Sequence, residues 1–276
     1  MTSTDTSTTH TSTAHTSTLS GLRVAITGGT SGLGLALVEA LHDRGAAVAF
    51  VARQSDRVSE VARQHEGTHG ITGDVSEKDA TYPIAMQITA ALGGLDVLIN
   101  NASSLGPVPL ELLADTECED LEAALATNVV GPFRLTKALL GALSASARTG
   151  RPALVVNITS DAAVTPYSGW GAYGASKAAL LHMSRIWDEE LQAHGVRVKA
   201  VDPGDMDTPL HALAVPDADP ADLKRPADSA REIVELIEGL VQGAGEPTAA
   251  ATGDTAGSLA RATSGATSAA TSGATI

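Results

Sequence analysis

A chain of 276 residues with a net charge of −14 and 43% hydrophobic residues is long enough for one large α/β domain, and its acidity disfavours nucleic acid and anionic membrane as partners. One cysteine, Cys118, excludes an internal disulfide and suits a reducing cytoplasm. No apolar run approaches the roughly 18 residues that a membrane span needs, so a cytoplasmic protein without a membrane partner is expected.

Residues 1–19 are mostly Thr and Ser, and residues 243–276 repeat Ala, Thr, Ser and Gly. Such segments cannot bury enough apolar surface to offset the cost of ordering the chain, and both read as disordered tails. Neither a secretory signal nor a mitochondrial presequence is legible in the first. The folded domain is therefore placed at residues 20–242. Within it, strand-like runs alternate with helical patterns. LRVAITG (22–28) leads into GLGLALVEALHDRG (32–45), where Leu33, Ala36, Leu37, Ala40 and Leu41 fall on one helical face. AAVAFVA (46–52) precedes a helix over 56–65, and THGITGD (68–74) precedes a helical stretch to about 92. LDVLINN (95–101) is followed by a Pro-containing loop and a long helical pattern over 116–147. PALVVNITS (152–160), a helix beginning near Tyr173, VRVKAVDP (196–203) and a last helix over 227–240 complete the series. Six near-continuous apolar strands separated by helices predict a doubly wound parallel sheet, a Rossmann fold with helices on both faces and its ligand crevice at the carboxyl ends of the strands.

The motifs fall at those ends. TGGTSGLG places Gly28, Thr30, Ser31, Gly32, Leu33 and Gly34 between the first strand and the first helix. Glycines there allow a tight turn, let backbone N–H groups approach a pyrophosphate, and set the phosphates at a helix N-terminus. At the end of the second strand Ala52 and Arg53 stand where an acid would bind an adenosine ribose hydroxyl, with Arg57 nearby and no acid before Asp56. Guanidinium suits a 2′-phosphate, so NADP(H) is favoured over NAD(H). Tyr173 and Lys177, four residues apart, share one face of their helix.

The Gly-x-x-x-Gly-x-Gly spacing together with Tyr-x-x-x-Lys resembles the short-chain dehydrogenase/reductase family in its main single-domain branch. The likeness covers about residues 20–242 and includes GDV (73–75), NNAS (100–103), Asn128 in TNVVGPF, Ser160 in ITS, YGASK (173–177) and PGDMDT (203–208). It implies that Tyr173 is the general acid or base, with Lys177 lowering its pKa and holding the nicotinamide ribose. It further implies that Ser160 polarises the substrate carbonyl and Asn128 holds a relay water. The cofactor contacts it suggests are Asp74, Val75, Asn101, Ala102, Pro203, Gly204, Met206 and Thr208. The expected activity is hydride transfer between NADP(H) and a small carbonyl or secondary alcohol; a nucleotide-binding sensor without turnover is the alternative.

Three departures stand out. Ser103 replaces the family's usual glycine, Asp202 puts a negative charge before Pro203-Gly204, and no seventh strand follows the last helix. The missing strand favours a homodimer, through the long helix and the helix after Tyr173, over the family's usual homotetramer. Tyr167 has Gly171 four positions on and so lacks a basic partner; no Gly-x-Ser-x-Gly occurs, and His65 and His69 read as surface residues rather than metal ligands.

Overall fold

The computed structural model describes residues 19–243. The composition-based assignments of disorder to 1–18 and 244–276 lie outside the described residues. Leu19, which composition assigns to the tail, is fully buried in the core.

Six strands form one parallel sheet: β1 Arg23–Thr27, β2 Ala47–Ala52, β3 His69–Thr72, β4 Val97–Asn100, β5 Leu154–Ile158 and β6 Arg197–Val201. Their spatial order is β3-β2-β1-β4-β5-β6, the doubly wound arrangement in which the strand order reverses between β1 and β4. β1 pairs in register with β2 from Arg23↔Ala47 to Thr27↔Val51, and with β4 from Val24↔Val97 to Ile26↔Ile99. The carboxyl ends of these strands therefore finish level, and the crevice opens above them.

Side chains alternate across each strand and fill two cores. On one face Val24, Ile26, Val48 and Phe50 pack with Leu37 and Leu41 of α1 (Gly32–Asp43) and with Ile233 and Ile237 of α8 (Pro226–Gly243). On the other, Ala25, Val51, Leu98 and Val155 pack with Ile84 and Ile88 of α3 (Thr81–Leu92) and with Leu135 and Leu139 of α5 (Gly131–Arg148). α2 (Ser55–Gln64) seats Val58 and Val61 beside β2. No helix among the described residues is long and apolar enough to cross a membrane.

The single long helix expected over 116–147 is α4 (Cys118–Leu125), a π-helical stretch over Ala126–Val130, and α5. Pro132 explains the break. It has no N–H to give to the carbonyl of residue 128, so the α-helical ladder cannot close there. The Gly131 N–H instead reaches back to the Ala126 carbonyl in the wider π pattern. The segment after β6 also contains structure that loop composition did not predict: a short α7 (Pro209–Ala214) with Pro209 at its start. Between β5 and β6 runs α6 (Gly171–Leu191), which carries Tyr173 and Lys177.

Candidate active site

A cleft of about 1190 Å³ lies over the carboxyl ends of the strands. It is lined by every residue expected to bind cofactor and by Ser160, Tyr173 and Lys177. Asn128 is not on its wall: it is 1% exposed and sits behind.

The glycine turn is built for close approach. Gly28 is in the left-handed region at φ +73°, and a Cβ on it would meet the Ala102 backbone at 3.0 Å. A Cβ on Gly34 would collide with the carbonyl oxygen of Gly28. Thr27 pins the neighbouring loop, its Oγ1 accepting from the N–H groups of both Asn101 and Ala102 at 3.0 Å. Asn101 Nδ2 returns a bond to the Thr27 carbonyl at 2.9 Å. Ser31 precedes α1 without capping it through its side chain, and the first turn contains no acid. The first N–H groups of α1 are thus left to an anion. Leu33 offers only its backbone there, because its side chain lies in the core.

At the next strand end Arg53 and Arg57 line the cleft. Asp74 is fixed by Ser76, whose N–H and hydroxyl donate to Asp74 Oδ1 at 2.9 and 2.7 Å. Beyond β6, Gly204 (φ +76°) turns the chain and the Pro203 carbonyl accepts from Ser229 at 2.8 Å. Met206 forms an isolated bridge with Lys224. Thr208, read as a cofactor contact, also caps α7: the His211 N–H donates to its Oγ1 at 3.1 Å. This set fits a dinucleotide, with a phosphate cradle that a Cβ would fill and cations at the adenosine end.

At the other end of the cleft, β5 delivers Ser160 and α6 presents Tyr173 and Lys177. Tyr173 is 8% exposed. Burial pushes its hydroxyl up to about 12, against the opposing effect of the Ser160 and Ser103 hydroxyls, and the charges of Asp202 and Asp161 add to the rise. Lys177 Nζ lies 5.4 Å from the Tyr173 ring centroid and donates to the Ile158 carbonyl at 2.9 Å. Burial lowers Lys177 to about 8. Desolvation is the largest effect on each group, raising the phenol and lowering the ammonium.

Asn128 stands in the π stretch and has no bonding capacity to spare for a water on its side chain. Its Nδ2 donates to the Ser104 carbonyl and to Ser176 Oγ, both at 2.8 Å. Its Oδ1 accepts from the Ser104 N–H at 2.8 Å and from Ser103 Oγ at 3.2 Å. The side chain therefore ties the 103–104 loop to α6. Asp161, Trp170 and Asp205 line the cleft; they fall in the segments 161–170 and 205–226, where the sequence places the substrate pocket without singling out individual residues.

Residues 23–219 match the protein-family model described as short chain dehydrogenase. Serine 3-dehydrogenase of Agrobacterium fabrum is 32% identical over 187 residues, 67% of this chain and 72% of that one. Glucose 1-dehydrogenase of Gluconobacter oxydans is 32% identical over 230 residues, 79% of this chain and 84% of that one. A crystal structure of a short chain dehydrogenase from Burkholderia cenocepacia in complex with NADP superposes with a TM-score of 0.70 at 27% identity, covering 79% of this chain and 91% of that one. With its sheet order, its glycine turn and its Ser–Tyr–Lys cluster in one cleft, this chain belongs to the short chain dehydrogenase family.

Proposed function

We propose that this oxidoreductase uses NADP(H) to interconvert a small carbonyl compound and its secondary alcohol, with Tyr173 as the general acid and base. The observation that carries the reading is the convergence of Ser160, Tyr173 and Lys177 on the cleft that also holds the glycine turn and Arg53. Residues 28–34 would hold the pyrophosphate, Arg53 the 2′-phosphate, and Asp74, Val75, Asn101 and Ala102 the adenosine side. Lys177, Pro203, Gly204, Met206 and Thr208 would flank the nicotinamide ribose and ring. The bound cofactor supplies or accepts the hydride. Tyr173 gives its proton to the carbonyl oxygen, Ser160 polarises that oxygen, and Asn128 keeps the loop and α6 in register. The NADP-bound relative from Burkholderia cenocepacia supports the cofactor choice.

Fluorescence titration tests this without a substrate in hand. NADPH should bind at least ten-fold tighter than NADH, and Arg53→Ala should erase the difference. Tyr173→Phe should still bind NADPH while losing at least about 100-fold in carbonyl turnover. Equal binding of the two nucleotides by the unaltered protein would overturn the role given to Arg53.

We also propose a cytoplasmic homodimer that joins α5 and α6 of two chains. Phe133 and Ile186 are exposed on those helices, 40% and 46% respectively, and Phe133 stacks on Trp187 at 5.3 Å. Sedimentation velocity should show a dimer that Phe133→Glu converts to monomer; a monomeric unaltered protein would sink this assignment.

A further inference from the structure

Asp161 bridges two hydroxyls at the mouth of the reacting end. Its Oδ1 accepts from Ser160 Oγ at 3.0 Å and its Oδ2 from the Tyr167 hydroxyl at 2.6 Å. Ser160 Oγ in turn accepts from the Ala162 N–H at 3.2 Å. A serine has one proton to donate. While that proton rests on Asp161, Ser160 cannot also polarise a substrate carbonyl. A ligand that brings its own donor to Asp161 releases it.

The surroundings say what kind of donor fits. Asp161 is exposed in the cleft, and Asp202 and Asp205 line the cleft too. Asp202 accepts only a backbone N–H, from Gly204 at 2.9 Å. Among the described residues the arginines and lysines that line the cleft are Arg53, Arg57 and Lys177. Arg53 ends β2, three strand spacings or about 14 Å from β5, and Lys177 is buried beneath Tyr173 with its ammonium on a carbonyl. The hydroxyl that Asp161 Oδ2 holds belongs to an aromatic run in which Trp170 lies 6.5 Å from Tyr167 and 5.6 Å from Tyr173, ring centre to ring centre. Aromatic faces beside a carboxylate that holds only neutral hydroxyls favour a cation, and hydrogen bonds from an ionised donor are about twice as strong as neutral ones.

We propose that Asp161 is a specificity-determining residue that selects substrates bearing a protonated amine on the carbon next to the carbonyl, or one carbon further on. The ammonium replaces the Ser160 proton on Asp161 Oδ1, and Ser160 turns its hydroxyl to the carbonyl oxygen. An amino ketone is thereby reduced to an amino alcohol: the carbonyl carbon gains a hydride, the oxygen gains the Tyr173 proton, the amine is unchanged, and NADPH is the reductant. The inference rests on the reading of the cleft as an NADP(H) oxidoreductase site.

The test uses isosteres that differ by charge. 1-Amino-2-propanol and 2-butanol are titrated into the full-length protein saturated with NADPH, where neither alcohol can react, and tryptophan fluorescence is followed. The amine should bind at least ten-fold tighter, and Asp161→Asn, which keeps the shape and an acceptor for Ser160, should bring the ratio close to one. Aminoacetone against 2-butanone, with NADPH oxidation as readout, should show the same collapse of preference in kcat/KM. Equal binding of the two alcohols, no binding of the amine, or a preference that persists in Asp161→Asn would overturn the proposal. Failure to bind NADPH at all would instead strike the underlying cofactor reading, which the separate nucleotide titration reports.

Discussion

Lys177 is a cationic side chain placed where its charge is costly. It is 2% exposed and has one carbonyl for its ammonium. Its folded-state value falls from 10.5 to about 8, so between those two pH values the unfolded chain binds a proton that the folded chain does not. Stability therefore rises with pH across that window and is lower, by an amount on the order of 3 kcal/mol, once the pH has fallen below about 8. Urea unfolding at several pH values should show the unaltered protein gaining on Lys177→Met from pH 8 to 10.5. A constant difference between the two would contradict a buried, titrating ammonium. Its place beneath Tyr173 fits the role proposed for it in the chemistry.

The β1–α1 unit shows how one element converts local geometry into a binding site. Strand and helix meet so closely that Gly34 has no room for a side chain against Gly28, and Gly29 has Phe50 Cβ within 2.6 Å of where its own would be. The same closeness leaves the first N–H groups of α1 open to the cleft. Gly34→Ala should accordingly lower Tm and weaken NADPH binding together, since relief requires the turn to move. Gly239→Ala is the contrast. Gly239 is exposed in α8, with nothing within 4 Å of an added Cβ, and the change should stabilise by about 0.5–1 kcal/mol. Thermal unfolding of both variants checks the pair, and equal shifts would refute the argument from packing.

Across the whole molecule, stability and chemistry occupy opposite edges of the sheet. The cleft is at the carboxyl ends; at the amino ends of β1, β4 and β5 the fully buried Asp96 is clamped by Arg23 and Arg151. Arg23 donates to both of its oxygens at 2.6 and 3.0 Å, as does Arg151. Burial alone would push this carboxyl up, but the two guanidiniums overcome that and hold it well below the usual carboxylate range. It stays charged at neutral pH, and its contribution is lost only as pH falls below the ordinary carboxylate value. Asp96→Asn breaks two charge pairs and should cost about 3–5 kcal/mol, lowering Tm by roughly 10 °C. NADPH affinity measured well below that Tm should be unchanged, because no cleft residue touches the clamp. A loss of NADPH affinity with Tm intact would invert this division of labour.

Most of the fold and much of the site were legible in the sequence because their signals are local. Near-continuous apolar runs marked all six strands, and period-3.6 patterns marked the main helices. The glycine turn, Arg53 and the Tyr173–Lys177 spacing each sit within a few residues of the element that positions them. Non-local effects were not legible. The π stretch needed Pro132 to be read against a carbonyl one turn earlier, and the hydrogen bonds of Asn128 needed loop 103–104 and Ser176 to come within reach. The rise of the Tyr173 pKa depends on burial contributed by several elements and on Asp161 and Asp202, which no spacing rule connects to it. Apolar runs, glycine geometry and helical spacing determined the strands, the turn and the shared face of Tyr173 and Lys177. Only the tertiary structure decided how those groups are charged and bonded, because desolvation and electrostatic fields are set by everything that packs nearby.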